Sequence, residues 1–363
     1  MKTLKEFFRN PPYRIVKRAA VSTKRAILTR VIAVASTLLF CSLLSFFLID
    51  ANPIQFLICL FQGTFGNSIY LLKLAKNSAV LLCISLAVTP AFKMKFWNIG
   101  AEGQTHVGAL AATAVVIYLG GKVNETCLLL LMFIAAVLAG AIWSGIPAIF
   151  KAKWNTNETL FTLMMNYVAL GLVNYFVLIW SGGDTSIGEL KFGHLPILFG
   201  NEYLFIIISA LILAAIAYVY LRYTKHGYEI SVVGESENTA KYVGIKVGKV
   251  LIRTLLISGA LCGVAGFLIV GALDHSVSGD TVGGLGFTAI MASWLAKFNP
   301  IVMIGTSVFI AFLEQGASAI VTVFDTPLAL PDIFIGIILF TIIGCEFLIN
   351  YSIKRNQKQE KED

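Results

Sequence analysis

Charge is what this chain has least of: only 13% of its residues are Asp, Glu, Lys or Arg, against about 25% in soluble proteins. Too few polar groups remain to cover a water-facing surface, and a soluble fold is excluded. Histidine is scarce as well. His106, His194, His226 and His275 stand far apart, and no H-E-x-x-H run sets two imidazoles on one helix face around a metal. A metal centre and a membrane-embedded enzyme are both disfavoured. There is no G-x-x-x-x-G-K-[ST] run, so the chain has no loop of backbone amides to cradle nucleotide phosphates. Any ATP must be hydrolysed on another chain. Cys41, Cys59, Cys83, Cys127, Cys262 and Cys345 show no C-x-x-C spacing and read as small apolar fillers, not as disulfide or metal partners. No small-residue cleavage site precedes Arg30, so the first apolar run is expected to stay as an uncleaved anchor.

Apolar residues are what the chain has in excess, at 57%. Residues 31–49, 128–150, 204–220 and 333–349 approach the roughly 20 residues that cross a hydrocarbon core of about 30 Å. The reading is an all-α polytopic membrane protein of about ten transmembrane spans. The net charge of +8 invites a nucleic-acid partner, but its placement argues for the bilayer instead. With both termini cytoplasmic, every one of the 28 basic residues except Lys73, Lys76, Lys122 and Lys191 falls on the inner side, the bias that sets orientation. The expected division is a basic cytoplasmic arm over residues 1–30, a transmembrane domain over 31–350 and a charged cytoplasmic tail over 351–363. Residues 50–66 and 274–296 are open to a re-entrant or half-helix reading.

The most unusual stretch is 96–106, Phe-Trp-Asn-Ile-Gly-Ala-Glu-Gly-Gln-Thr-His. It sets Asn98, Glu102 and Gln104 at the head of an apolar run, where polar groups in lipid are functional candidates. A plainer alternative stays open: a glycine-broken helix start with Glu102 at the positive dipole end. Asn166 and Asn174, eight residues apart, fall near one helix face, where they could hydrogen-bond a neighbouring helix or a solute. The outer loop 181–201 carries His194 without a partner close in sequence.

Residues 222–250 form the one substantial cytoplasmic insertion. Within it Ser236 reads as an N-cap, with acid in the first turn, Lys241 late and Gly244 at the stop of a two-turn helix. Such a helix suits either a connector or a groove on a cytoplasmic partner. Downstream, Gly259, Gly263 and Gly266 share one helical stripe and predict close helix packing. Spans two to five and seven to ten form blocks that start on opposite sides of the membrane. Each has a glycine-broken second member, the pattern of inverted repeats around a translocation path.

Three motifs carry a resemblance: Asn98-Ile99-Gly100-Ala101-Glu102-Gly103-Gln104; Asn157-Glu158 with Thr162-Leu163-Met164-Met165-Asn166-Tyr167; and residues 234–245 with 258–266. With these the sequence resembles the inner-membrane permeases of ATP-binding-cassette (ABC) importers for branched-chain amino acids, simple sugars and nucleosides, most closely the nucleoside branch. The resemblance implies a multi-pass permease of a prokaryotic plasma membrane that is not itself an enzyme and binds no cofactor. Its implied partners are a second, non-identical permease, a cytoplasmic ABC ATPase holding ATP and Mg, and an extracytoplasmic solute-binding lipoprotein. It also implies an inverted-repeat permease fold, with Asn98, Glu102, Gln104 and Asn166 as candidate path residues. Glu235, Glu237, Asn238, Lys241, Tyr242 and Gly244 would contact the ATPase. Ser231 and Val232 stand where the family often has a basic residue, which weakens a charge-pair model of that contact. The rival reading is a secondary transporter driven by an ion gradient, for which Glu102, Glu314 and Glu346 are the candidate carboxylates; the same ABC role for simple sugars or branched-chain amino acids is the other alternative.

Overall fold

Lipid offers no partner for a backbone N–H or C=O, so apolar runs of this length close their hydrogen bonds within helices. The computed structural model of the chain describes residues 13–18, 23–327 and 330–355. In order these form β1 (Tyr13–Lys17), α1 (Thr23–Ile49), α2 (Pro53–Phe65), α3 (Ser68–Lys93), α4 (Ala101–Leu119), α5 (Glu125–Trp154) and α6 (Glu158–Ser181). There follow α7 (Leu204–Tyr223), α8 (Lys225–Glu235), α9 (Glu237–Tyr242), α10 (Val247–Ile269), α11 (Leu285–Leu295), α12 (Pro300–Phe324), α13 (Leu330–Asn350) and β2 (Tyr351–Arg355). Asparagine caps open α2, α3, α5 and α6: the side chains of Asn52, Asn67, Asn124 and Asn157 each accept a first-turn N–H.

Among the described residues, eight helices are long and apolar enough to cross a bilayer: α1, α3, α5, α6, α7, α10, α12 and α13. The other two expected spans are α4, which opens on a polar turn, and α11. With 11 residues, α11 reaches only about 16 Å, roughly half a membrane. The stretch 50–66 holds another half-length helix, α2. Most of the basic arm and the charged tail lie outside the described residues, as does the side chain of Glu346.

The chain forms two compact units, one built from its two ends, up to Gly66 and from Leu313 onward, the other from Asn67–Phe312. In the first, β1 and β2 pair antiparallel with Tyr13 opposite Arg355 and Lys17 opposite Tyr351. This ribbon joins segments that the sequence suggested were a separate arm and tail. Beyond it α1 packs along α13, and Phe56 of α2 meets the Phe334 ring edge-on at 5.1 Å.

In the larger unit α10 is the central helix, packed most extensively on α5 and then on α4 and α3. The three glycines of the stripe make that approach possible. A Cβ on Gly259 would overlap Ser144 and the Gly140 carbonyl of α5, one on Gly263 the Ala136 carbonyl, and one on Gly266 the Thr105 carbonyl of α4. From the other side, Gly108 of α4 lies so close that its Cβ would stand 2.6 Å from the Gly263 Cα. All but the Ser144 contact are with backbone, which cannot swing aside. Gly263→Val is therefore expected to cost more than the roughly 1–3 kcal/mol typical of overpacking and to remove the monodisperse peak in size-exclusion chromatography. Gly171→Ala, on α6 with nothing within 4 Å of the added carbon, should leave that peak intact. Equal behaviour of the two variants would contradict the packing account.

Candidate functional site

Between α3 and α4 the chain cannot stay helical. Lys95 takes a positive φ of 60°, residues 96–100 run irregularly, and α4 restarts at Ala101. This leaves backbone groups at the head of α4 without helical partners, and nearby side chains supply them. Asn98 Oδ1 accepts from Gly100 N at 3.1 Å and from Gln104 Nε2 at 3.1 Å. Asn98 Nδ2 donates in turn to Gln104 Oε1 at 3.3 Å and to Ser258 Oγ of α10 at 3.4 Å. Asn98 and Gln104 are 0% and 1% exposed. Their amides are spent on each other and on the break.

A second clamp comes from α6. Thr162 Oγ1 accepts from Ile99 N at 3.2 Å; Asn166 accepts from Gly103 N through Oδ1 at 2.9 Å and donates to the Ile99 carbonyl through Nδ2 at 2.9 Å. Gly103 must lack a side chain here, since a Cβ would stand 2.9 Å from the Asn166 Cα. The sequence placed Asn166 and Asn174 on one face, but Asn166 is buried against α4 while Asn174 is exposed.

Glu102 has the longest reach. Its carboxylate leaves the first turn of α4 and accepts from Gly284 N at 2.9 Å and Gly286 N at 2.7 Å, at the head of α11. It therefore sits at the positive ends of two helices, where a carboxylate is favoured. A Cβ on Gly286 would overlap the Glu102 backbone. His106, one turn on, holds Nε2 3.7 Å from Glu102 Oε1. The two glycine-broken segments thus meet at one carboxylate. Ser258 and Thr162, the remaining partners, were not singled out as site residues from the sequence; each stands at the edge of a motif, which was the available signal. No group of three or more His, Cys, Asp or Glu able to hold a metal occurs among the described residues.

On the cytoplasmic side, Ser236 caps α9 through Thr239 N at 3.3 Å, and Gly244 ends the turn at a φ of 84°. Glu235, Glu237, Asn238, Lys241, Tyr242 and Gly244 are all exposed, Tyr242 at 92%. Ala240, on the opposite face, is buried in a cluster with Ile230, Val233, Met94, Phe96, Leu251 and Leu255. The preceding helix, α8, was not singled out from the sequence, and Gly227 and Gly234 both lie inside it. Gly234 brings α8 onto the Lys93 carbonyl, which a Cβ would strike. Arg253 of α10 pairs with Glu229 of α8 at 2.8 Å, and Lys95 Nζ donates to the Glu235 carbonyl at 3.5 Å. The exposed turn is therefore seated on the residues that lead directly into Asn98.

The sequence profile of the family described as the branched-chain amino acid transport system permease component matches residues 70–343, a range that contains every group just described. The chain belongs to that family. It is similar to a glucose ABC transporter permease protein of Haloferax volcanii, with 30% identity over 321 residues covering 84% of each chain. It is also similar to a guanosine ABC transporter permease protein of Bacillus subtilis, with 29% identity over 83% of this chain and 88% of that one. A second guanosine permease protein of the same bacterium is 28% identical over 60% of this chain and 72% of its own. The chain is an ABC permease, a multi-pass transport component of the plasma membrane.

At the outer end of this permease the fold gives His194 the partner it lacked in sequence. The His194 and His275 rings lie 4.3 Å apart, held by Leu190 N donating to the His275 carbonyl at 2.7 Å and by a His194 Nε2 contact with the Leu190 carbonyl at 2.7 Å. Burial first, then His194, holds the His275 imidazole below its usual 6.5, against the pull of Glu189, Glu202 and Asp274. Because the folded state favours neutral His275, this contribution is complete above pH 6.5 and is lost as pH falls through the lower folded value. Limited proteolysis of the loop 181–201 should accordingly quicken between pH 7.5 and pH 5, and His275→Gln should flatten that dependence. A loop equally resistant at both values would contradict the coupling.

The Glu102 link yields a second expectation. Glu102→Ala leaves two N–H groups without an acceptor, at about 1–3 kcal/mol each. It should lower the unfolding midpoint of purified protein further than Glu102→Gln, which keeps one acceptor. Equal midpoints for both variants and the parent would remove Glu102 from its bracing role.

Proposed function

We infer that this ABC permease forms, with a second and non-identical permease, the membrane path through which a nucleoside or similar small polar solute is imported. The observation that carries this reading is the α8–α9 turn. It is an exposed knob of Tyr242 and Val243, 92% and 61% exposed, seated through Ala240 on Met94 and Phe96. A capped helix of this kind fits a groove on a cytoplasmic partner. That partner is an ATPase that binds ATP and Mg, because the sequence has no phosphate-cradling motif of its own. An extracytoplasmic solute-binding lipoprotein delivers the solute.

Two of the relatives are named for guanosine and one for glucose, and all of these solutes are small and hydroxyl-bearing. Two distinct guanosine permease proteins in one bacterium support the non-identical pair. Force applied at Tyr242 reaches Phe96 through one layer of buried side chains, and Phe96 is two residues from Asn98. Motion of the ATPase therefore acts on the break in the α3–α4 connection.

Scrambling residues 235–242, in protein shown to be membrane-inserted, should abolish both co-purification of the ATPase and solute uptake. Retention of both would sink the reading. The purified chain alone should hydrolyse no ATP; turnover that survives removal of contaminating ATPases would contradict it.

A further inference from the structure

Asn174 lies on an exposed face of α6, and α6 runs from Glu158 inside to Ser181 outside. At 1.5 Å per residue, Asn174 is about 10 Å below the outer end of the helix. Its side-chain amide has no hydrogen-bond partner among the described residues. Facing lipid, such a group would be costly; facing water or a solute, it is not.

The neighbouring segment favours water. Residues 275–278 pair with the outer loop through Leu190, Ile187 and Ser186, and residues 279–284 lead on irregularly into the half-length α11, with Gly283 and Gly284 at φ of 56° and 81°. Gly279 presses on Asn174, where a Cβ would stand 2.6 Å from Oδ1. Irregular backbone persists at membrane depth only where it is buried in protein or lines a water-filled cavity. Gly283 and Asp280 are exposed, and the Asp280 carboxylate has neither a hydrogen-bond donor nor an ion-pair partner among the described residues. His106 is 2% exposed, its Nδ1 is buried without a partner, and it lies within electrostatic reach of Asp280.

We propose that Asn174 and Asp280 form a solute site at the outer end of the path that binds the adjacent hydroxyls of a polyhydroxylated ring, the ribose of a nucleoside or a hexose. A carboxylate accepts from two neighbouring hydroxyls at once, and the Asn174 amide both donates and accepts. The proposal rests on the import of such a solute argued above. It accounts for an exposed amide about 10 Å below the outer end of α6 and for an unpaired carboxylate next in sequence to the glycine that presses on that amide.

The test is uptake of labelled guanosine into proteoliposomes holding the whole transporter, with guanosine, glucose and 2′,3′-dideoxyguanosine as competitors. The parent should prefer guanosine to the dideoxy analogue by about 10-fold or more, as expected of a site that bonds hydroxyls. Asp280→Asn should shrink that preference to under about 3-fold by raising KM for guanosine, with kcat and subunit co-purification unchanged. Asn174→Leu should raise KM for guanosine by roughly 10-fold with all subunits still attached. Unchanged KM and preference in both variants would overturn the site while leaving the import reading standing. So would loss of the second permease on Asn174→Leu, since that places Asn174 in a subunit contact. Failure of the parent to take up guanosine or glucose would overturn the substrate class itself, and the site with it.

Discussion

The bond between Glu102 and the head of α11 is the interaction on which the rest of the larger unit depends. A helix broken at membrane depth exposes backbone groups that lipid cannot satisfy, at a cost of roughly several kcal/mol each. This chain breaks twice, before α4 and before α11. Asn98, Thr162 and Asn166 satisfy the first break, and Glu102 reaches across from it to satisfy the second. The two breaks are consequently not independent. Displacing either one leaves the Gly284 and Gly286 amides without acceptors and the Glu102 carboxylate without donors.

Around this brace the glycine contacts of α10 remove the slack that side chains would provide. Gly259, Gly263 and Gly266 bring backbone onto backbone against α5 and α4, and interiors packed this way shift between discrete arrangements instead of deforming continuously. The α8–α9 turn joins the same body through Gly234, Ala240 and the Arg253–Glu229 pair. A push on the exposed turn therefore reaches the Asn98 corner as a displacement of packed groups.

Much of this was legible in the sequence, for identifiable reasons. The long spans follow from apolar run length, α9 from the residues at its cap and stop, and the tight seat of α10 from three glycines on one stripe. The half-length of α11 was visible in the polar, glycine-rich stretch that precedes it. Partnership was not legible. Asn98 and Gln104 read as path candidates in sequence, and nothing local says that their amides pair with each other. His194 finds His275 across 81 positions, and α8 forms through two glycines because its burial against Lys93 and Met94 outweighs their low helix propensity. Asn166 and Asn174 share a helical face by spacing, but the neighbouring α4 covers only one of them. The pairing of β1 with β2 joins opposite ends of the chain and left no local trace.

We infer that ATP hydrolysed on another chain moves this brace. The most direct test is solute uptake into proteoliposomes that contain this permease, with and without its ATPase and the second permease, under imposed ATP or ion gradients. Uptake is expected only in the complete assembly supplied with ATP, and none from a proton or sodium gradient alone. Uptake by this chain by itself, driven by either gradient without ATPase, would contradict it.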